Sequence, residues 1–266
     1  MKIITFNANG IRSAASKGFF DWLRAQKADV VCVQETKAQE DQLSDPLFRP
    51  KGHHCFYRDA VTKKGYSGVA IYARRQPDEV LTRIGWKPFD DEGRYLEARF
   101  GRLSVVSLYV PSGSSGEERQ AFKFEAMRKL RRIFDGWLAS GRDYVLCGDW
   151  NIVRGERDIR NWKSNQKNSG CLPAERAWLN GLIADDHGDG TPAPATGWLD
   201  TFRVVKPDAV AYTWWSNRGT ARANDVGWRI DYQICTPSLR GALRACAITP
   251  APRFSDHAPY RVDYAA

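Results

Sequence analysis

Long hydrophobic runs are absent from this 266-residue sequence. A membrane-spanning helix needs roughly 20 apolar residues in succession, and no stretch approaches that length. The chain reaches the polar residue Asn7 after an apolar run too short for the core of a secretory signal peptide. Internal repeats and low-complexity tracts are also missing. We therefore expect a globular, cytoplasmic protein with no membrane-embedded part.

Paired cysteines are absent as well. The six cysteines include no CxxC pair and no spacing typical of a zinc site. Cys32, Cys147 and Cys235 fall inside apolar runs, where a reduced thiol behaves as a small hydrophobic side chain. This pattern argues against a disulfide scaffold or a zinc finger, and it fits a reducing cytosol.

Positive charge is in excess. The chain has 40 Lys and Arg against 31 Asp and Glu, which gives a formal net charge of +9. A basic balance on an enzyme-sized chain favours a polyanionic partner, most simply nucleic acid. A basic protein with no such partner is the alternative that composition leaves open.

Short apolar strands alternate with helices in both halves of the chain. Buried strands that alternate with helices are typical of sheets flanked by helices, so we expect two packed sheets in one α/β domain, residues 1–266. In one strand Leu96 and Ala98 alternate with Glu97 and Arg99, which predicts that the charged side chains face water. The predicted strands are 2–6, 29–34, 66–74, 94–100, 103–110, 144–147, 211–215, 228–236, 243–249 and 260–264; the predicted helices are 19–26, 117–138 and 173–182.

Residues 143–152 (DYVLCGDWNI) carry the most informative pattern. An apolar strand ends at a glycine, and Asp149 and Asn151 follow where the chain leaves the sheet. Positions two apart in extended chain point the same way, so the carboxylate and the amide can face one ligand. Loops beyond strand ends are where open α/β sheets place ligands. The alternative is that the two residues only form an Asx-turn.

Comparable residues stand at other predicted strand ends. Hydrolysis of a phosphodiester requires oxygen ligands for Mg²⁺, a group that activates water, and donors for the charge on the phosphoryl oxygens. Glu35 is the best candidate for the metal ligand, and Asp149 is the candidate for activating water. Taken alone, Asn7 or Glu35 is better explained as a turn or solvated loop residue, but the set as a whole predicts hydrolysis. The candidate donors are Asn7, Tyr109, Asn151 and His257.

His257 follows Asp256 near the C-terminal end of the sequence. A protonated imidazole can bind a phosphate oxygen when a carboxylate holds its other nitrogen. Adjacent side chains point apart, so we expect Asp231 rather than Asp256 to orient His257. His187 lies in an acidic, glycine-rich segment (185–190) that lacks EF-hand spacing, and we interpret that segment as a solvated turn.

Aromatic and basic residues cluster in 212–228. Trp214 and Trp228 flank a polar loop that carries Arg218, and an aromatic beside an arginine can stack on a base or wedge into a duplex. Trp214 and Trp215 alternate along a strand, so at most one of them is expected to face a ligand. Packing is the alternative for the aromatics. Lys163 joins Arg218 as a candidate phosphate contact, with simple solvation as its alternative.

Eight motifs along essentially the whole chain resemble the exonuclease III / apurinic–apyrimidinic endonuclease family. The resemblance implies a four-layered α/β sandwich with two mixed sheets inside and helices outside. It also implies an enzyme that hydrolyses phosphodiesters of double-stranded DNA with Mg²⁺, or Mn²⁺ as a substitute, at abasic sites and damaged 3′ ends. We expect this enzyme to be a monomer. The motifs are FNANGIR (6–12), VCVQETK (31–37), SGVAIY (67–72), SLYVPSG (107–113), CGDWNI (147–152), LDTFR (199–203), WRIDYQ (228–233) and SDHAP (255–259).

The resemblance also implies roles for single residues. Glu35 matches a metal-binding glutamate, Asp149 a water-activating aspartate, and His257 a catalytic histidine oriented by Asp231. Asn9 stands where some members have an aspartate, which puts a metal contact at that position in doubt. Tyr109 lies on the phosphate side, and Trp214 and Trp228 line a pocket for an extruded sugar. The implied metal group draws on Glu35, Asn7, Asp149, Asn151, Asp256 and His257.

Two other functions use the same fold. A regulator of the catabolite-repression-control type keeps the fold without catalytic carboxylates, whereas Glu35, Asp149 and Asp231 are all present here. A phosphoesterase acting on lipids or inositol phosphates would use the same catalytic residues. The aromatic and basic segment 212–228 and the lack of a membrane-binding stretch argue against it. We therefore expect an active DNA nuclease.

Overall fold

The computed structural model describes residues 1–184 and 194–265. The segment 185–190, interpreted above as a solvated turn, lies outside the described residues. Within them, no helix combines the length and apolarity that a membrane crossing requires.

The described residues contain fourteen strands, seven α-helices and four short 3₁₀ helices. The strands are β1 (Lys2–Asn7), β2 (Val30–Gln34), β3 (His54–Arg58), β4 (Val69–Ala73), β5 (Glu79–Leu81), β6 (Tyr95–Phe100), β7 (Leu103–Tyr109), β8 (Asp143–Asp149), β9 (Leu199–Asp200), β10 (Trp214–Trp215), β11 (Gly227–Trp228), β12 (Asp231–Cys235), β13 (Leu243–Ile248) and β14 (Tyr260–Tyr264). The α-helices are α1 (Ile11–Ser16), α2 (Phe19–Gln26), α3 (Lys87–Asp91), α4 (Glu117–Ala139), α5 (Trp162–Asn165), α6 (Pro173–Asn180) and α7 (Thr201–Val205). The 3₁₀ helices are Glu40–Leu43, Pro46–Phe48, Glu156–Asp158 and Pro237–Ala242.

Two six-stranded mixed sheets form the centre of the protein. Their strand orders are β13-β14-β1-β2-β4-β3 and β5-β6-β7-β8-β12-β9, and β10 and β11 form a separate two-stranded ribbon. Each large sheet has one parallel pair, β1–β2 and β7–β8, and the other pairs are antiparallel. A parallel pair needs a crossover connection. Helices α1 and α2 supply it for β1–β2, and α4 supplies it for β7–β8.

The sheets pack face to face and carry helices on their outer faces. One apolar core lies between them and includes Ile3 and Cys32 of the first sheet with Val105 and Cys147 of the second. A second core joins the first sheet to α1 and α2, and a third joins the second sheet to α4 and α6. The predicted four-layered α/β sandwich is therefore confirmed.

Several predicted elements differ from the structure in instructive ways. The predicted strand 228–236 is interrupted, with separate strands at Gly227–Trp228 and Asp231–Cys235. The prediction that Glu97 faces water is wrong, because its side chain is 1% exposed. Glu97 is instead bound by the Tyr95 hydroxyl, by Arg99 Nε at 2.6 Å and by Ser104 Oγ at 2.6 Å. These three hydrogen bonds replace the ones that the carboxylate would make with water, so its burial is tolerated.

A buried charge network explains why the predicted strand 228–236 is interrupted. The Arg229 guanidinium is 1% exposed and donates to Asp158 through Nε at 2.8 Å and to Asp200 through Nη2 at 2.7 Å. Arg154 Nη1 also donates to Asp200, at 3.1 Å, and Arg203 donates to Asp158. The network ties the segment that follows β11 to the chain beyond β8 and to the end of β9.

Replacing Arg229 with methionine is expected to lower the free energy of unfolding by about 3 kcal/mol, because two buried carboxylates lose a shared partner. Urea denaturation measures the change. Arg240→Met is the matched control, since Arg240 is exposed and should change the free energy of unfolding by less than about 0.5 kcal/mol. Equal stability of the two variants would contradict a structural role for the network.

Candidate active site

Strands of both sheets end at one place. In the first sheet Asn7, the last residue of β1, pairs with Gln34 of β2, and Glu35 follows directly. In the second sheet Asp149, the last residue of β8, pairs with Tyr109 of β7 on one side and with Asp231 of β12 on the other. The fold therefore gathers polar side chains from five strands at this end.

Asn7 joins the two sheets at the site. Its Nδ2 donates to Glu35 Oε1 at 2.8 Å and to Asp149 Oδ2 at 2.8 Å, and its side chain is fully buried. Asn7 Oδ1 accepts from the backbone N–H of Asn9 at 2.9 Å, which fixes which end of the amide faces the carboxylates. One amide thus holds two carboxylates, one from each sheet, at a set separation.

Backbone strain is concentrated around these carboxylates. Five residues that line the cleft have φ between 43° and 52°, although none is glycine. The left-handed region is unfavourable for side chains with a Cβ, and such residues cluster at functional sites. The five are Asn9, Glu35, Lys37, Ser67 and Asn151.

Asp149 is the most perturbed carboxyl group at the site. Burial and the neighbouring charge of Asp231 raise its pKa to about 8, and the charge of His257 works in the opposite direction. Its Oδ1 accepts from the backbone N–H of Asn151 at 2.8 Å, and Nδ2 of Asn151 donates to Oδ2 at 3.2 Å. A carboxyl group with a pKa near neutrality is suited to taking and releasing a proton.

His257 and Asp231 form a buried pair. His257 Nδ1 lies 2.8 Å from Asp231 Oδ2, so the other ring nitrogen remains available for a ligand. Burial alone lowers the pKa of His257, but the adjacent Asp231 outweighs it and raises the value to about 10. The imidazole is therefore positively charged at neutral pH. Asp231 Oδ1 is a buried atom with no hydrogen-bond partner among the described residues.

Tyr109 lies against Glu35. Burial and the Glu35 charge raise the pKa of the Tyr109 hydroxyl well above its usual range, so this group remains a hydrogen-bond donor. The Arg94 guanidinium stacks 4.4 Å above the Tyr109 ring and donates to its backbone carbonyl at 3.1 Å. Arg94 thereby fixes both the ring and the backbone of Tyr109.

The donor set suits a divalent cation. Glu35, Asp149 and His257 form a three-residue group whose potential ligand atoms lie within 4.8 Å of one another. Because the His257 imidazole is protonated, the two carboxylates are the better ligands, and His257 would lie beside the cation. Burial raises the pKa of Glu35, but Lys37, whose Nζ lies 2.7 Å from Glu35 Oε2, and Asn7 outweigh it, so the pKa is lowered. Ionised carboxylate oxygens are the ligands that Mg²⁺ and Mn²⁺ prefer.

Asp256, predicted near the metal, lies at the edge of this group. Its Oδ1 accepts from Asn9 Nδ2 at 2.9 Å and its Oδ2 from Trp214 Nε1 at 3.1 Å. It lines the cleft but is not part of the three-residue group of potential ligands. The Asn9 amide occupies one of its oxygens, and the other positions an aromatic side chain.

The site opens into a cleft of about 1240 Å³. Trp214 and Trp228 pair across the β10–β11 ribbon, with ring centroids 5.9 Å apart and planes at 89°, and both line the cleft. Trp215 is buried and donates to Asp225 at 2.9 Å, so only Trp214 of the adjacent pair faces the cleft, as predicted. Trp214 and Trp228 together form an aromatic wall of the cleft, and the ring centroids of Trp214 and His257 are 6.4 Å apart.

Basic side chains line the same cleft. Arg218 is among them, whereas Lys163 is exposed on α5 and is not among the described lining residues. Lys167, four positions further along, does line the cleft. Arg119 also lines the cleft, and its Nη1 donates to Glu92 Oε1 at 2.7 Å. The sequence did not single out Arg119, or the Arg94 that holds Tyr109, because nothing local distinguishes them from surface arginines. The family motif around Tyr109 gave no signal for either residue.

Comparison with known proteins agrees with this geometry. The profile of the Endonuclease/Exonuclease/phosphatase family matches residues 4–257. The chain belongs to this family.

Relatives extend over nearly the whole chain. An exodeoxyribonuclease from Bacillus subtilis (strain 168) is 34% identical over 261 residues, which cover 97% of each chain. The DNA repair nuclease APEX1 of Danio rerio is 35% identical over 261 residues, covering 97% of this chain and 80% of that protein. The resemblance to exonuclease III and apurinic endonucleases, predicted from the motifs, is confirmed.

Solved structures of other proteins share the fold of this chain. An AP endonuclease from Archaeoglobus fulgidus superposes with a TM-score of 0.85 at 26% identity, with complete coverage of both chains. The 3′ phosphatase NExo from Neisseria, solved with a product DNA hairpin, superposes with a TM-score of 0.86 at 25% identity and the same coverage.

Proposed function

We propose that this protein is a metal-dependent DNA repair nuclease that incises duplex DNA at abasic sites and trims or repairs 3′ ends. The observation that carries the proposal is the Asn7 amide, which holds Glu35 and Asp149 together beside the charged His257–Asp231 pair. Such a site offers cation ligands, a base and a phosphate-binding cation within one cleft. The nucleases among its relatives support the same activity.

The proposed reaction is attack of water on phosphorus. In its ionised form, which a bound divalent cation would favour, Asp149 accepts the proton of the attacking water, while Asn7 and Asn151 hold the two Asp149 oxygens in place. His257 donates from its free ring nitrogen to a phosphoryl oxygen, and the Tyr109 hydroxyl is a second donor to the phosphoryl group. Mg²⁺ or Mn²⁺ bound by Glu35 and Asp149 would polarise the phosphoryl group and offset charge on the leaving 3′ oxygen.

The cleft provides contacts for duplex DNA with a lesion. Trp214 and Trp228 form the aromatic wall against which a sugar or base turned out of the duplex would pack. Arg218 and Lys167 would contact backbone phosphates, with Lys163 as an outer contact. The complete set of carboxylates disfavours a binding-only regulator on this fold.

We further propose that residues 1–266 act as one catalytic domain in a reducing compartment. One apolar core is shared by both sheets, and all six cysteines are free thiols. Buried free thiols such as Cys32 and Cys147 behave as small apolar side chains and need no oxidising environment.

The proposed function is tested with a 5′-labelled duplex that carries one abasic analogue, beside an intact blunt duplex and a phosphoinositide substrate. A single Mg²⁺-dependent nick 5′ to the lesion would establish the endonuclease, and a ladder from the 3′ end would establish the exonuclease. Chelation of the metal should abolish both products. Cleavage of the phosphoinositide alone, or no metal-dependent product on either DNA, would contradict the proposal.

The affinity for duplex DNA is expected to fall steeply with salt. Each phosphate contact releases counterions, so about six contacts would weaken binding by about 10³-fold between roughly 50 and 200 mM salt. Fluorescence anisotropy with a chelator present measures this without cleavage. Arg218→Ala should reduce the slope by about one, and the exposed Arg240→Ala should not. A flat salt response would contradict a phosphate-binding cleft.

A further inference from the structure

Lys123 is charged and fully buried. It lies on α4 in the same stripe as Met127, Leu130 and Phe134, which pack in the core under the second sheet. Its Nζ lies 2.6 Å from Glu175 Oε1, and both side chains are 0% exposed. Burial lowers the pKa of Lys123, and the charge of Glu175 opposes this effect.

The second partner of Lys123 belongs to the active site. Lys123 Nζ donates to the backbone carbonyl of Asn151 at 2.9 Å. Asn151 has φ of 52° and donates to both oxygens of Asp149, through its backbone N–H and its Nδ2. The orientation of the Asn151 backbone therefore determines the hydrogen bonds that hold Asp149.

Glu175 extends these contacts to the cleft wall. Its Oε2 accepts from the backbone N–H of Gly170 at 2.6 Å and of Leu172 at 3.1 Å, and its Oε1 accepts from Gln120 Nε2 at 3.0 Å. Gly170 and Leu172 both line the cleft. Glu175 thus fixes the loop that leads into α6.

The loop and the Asn151 carbonyl are in close contact. Gly170 has φ of +93°, and a Cβ there would lie 2.9 Å from Asn151 O and 3.1 Å from Cζ3 of Trp228. This position therefore requires glycine, and the loop touches the active-site backbone and the aromatic wall at once.

We propose that Lys123 and Glu175 form a positioning clamp that sets Asn151, and through it Asp149, relative to the Trp228 side of the cleft. The inference rests on the proposed function. A buried ion pair can often be replaced by apolar residues without loss of stability, so stability alone does not explain this one. An apolar side chain, however, has no donor for the Asn151 carbonyl.

Two variants separate positioning from stability. Lys123→Met leaves Glu175 buried without its cationic partner and should destabilise the fold. Adding Glu175→Gln removes that charge, and the glutamine oxygen can still accept from the loop, so stability should return. In the double variant the Asn151 carbonyl remains without its donor, whereas the Gln120 amide, which donates to Glu175 Oε1 in the wild type, can rotate to accept from the new amide at position 175. Lys129→Met, on the exposed side of the same helix, is the matched control.

The experiment measures three quantities on each variant: the free energy of unfolding, kcat and KM on the abasic duplex, and the NMR resonances of the Asn151 side-chain amide without DNA. For the double variant we expect near wild-type stability, an unchanged KM and shifted Asn151 resonances. We expect kcat to fall by about 100-fold, as for a displacement of a catalytic group by about 1 Å. Lys129→Met should match the wild type throughout.

Wild-type kcat with unshifted Asn151 resonances in the double variant would overturn the clamp. A loss of kcat that follows the free energy of unfolding across the variants would overturn it as well. If wild-type protein cleaves neither DNA, the proposed function fails. The Asn151 resonances then decide the clamp independently, since a shift in the stable double variant supports it and no shift rejects it.

Discussion

Replacing Asp149 with asparagine is expected to lower kcat by about 10³-fold or more while the affinity for duplex DNA changes little. The amide has the size of the carboxylate but cannot accept a proton from water. It would also place an NH₂ group against the donors Asn7 Nδ2 or Asn151 N–H, which now bind the two carboxylate oxygens. Single-turnover cleavage and anisotropy measure the two quantities separately.

Asp143→Asn is the matched control, because Asp143 begins the same strand that Asp149 ends. The chemical change is identical and the position lies at the far end of the sheet, so cleavage should stay within about twofold of wild type, as for a substitution remote from the chemistry. A near-wild-type rate for Asp149→Asn would contradict its role as the base.

Replacing His257 with alanine is expected to reduce kcat by a similar factor. The pKa of about 10 keeps the imidazole charged at neutral pH, and alanine removes this donor to the phosphoryl oxygen. Asp231→Asn should have a smaller effect through His257, because the pKa of the imidazole should fall once the adjacent carboxylate is neutral. NMR titration of His257 and the pH dependence of kcat measure both effects.

The exposed His54 on the edge strand β3 provides the control for this substitution. His54→Ala should leave kcat unchanged. An unchanged pKa of His257 in Asp231→Asn would show that Asp231 does not hold the imidazole, and the orientation assigned to this pair would then be wrong.

Local patterns predicted the layers and the carboxylates well. Asp149 follows an apolar strand, and Glu35 follows another, so their positions at strand ends could be read from hydrophobic runs alone. The helix Glu117–Ala139 was predicted to within one residue because its apolar stripe is long and regular. The short strands Glu79–Leu81 and Leu199–Asp200 left no comparable pattern.

Long-range electrostatics could not be predicted in the same way. Glu97 alternates with apolar residues as a solvated charge would, yet Arg99, Ser104 and Tyr95 surround it in the fold. Arg229 interrupts a predicted strand because it pairs with Asp158 and Asp200. Both partners come from other segments of the chain. Pairings between distant residues leave no periodic signal in the sequence.

Lys123 is an intermediate case. A lysine within the apolar stripe of α4 is visible in the sequence, since it precedes Met127 by one helical turn. Its partners are not visible, because Glu175 and the Asn151 carbonyl reach it only through tertiary packing. A charged residue at a core position of a helix was thus a usable signal that sequence reasoning passed over.

The most direct test is cleavage, in H₂¹⁸O with Mg²⁺ under single-turnover conditions, of a duplex with a natural abasic site, whose aldehyde also permits elimination, followed by mass spectrometry of both products. Attack of water on phosphorus predicts ¹⁸O in the 5′-phosphate of the released fragment and an unlabelled 3′-hydroxyl on the other. An unlabelled phosphate together with an unsaturated 3′ end would contradict the account, because that result shows elimination from the sugar rather than hydrolysis at phosphorus.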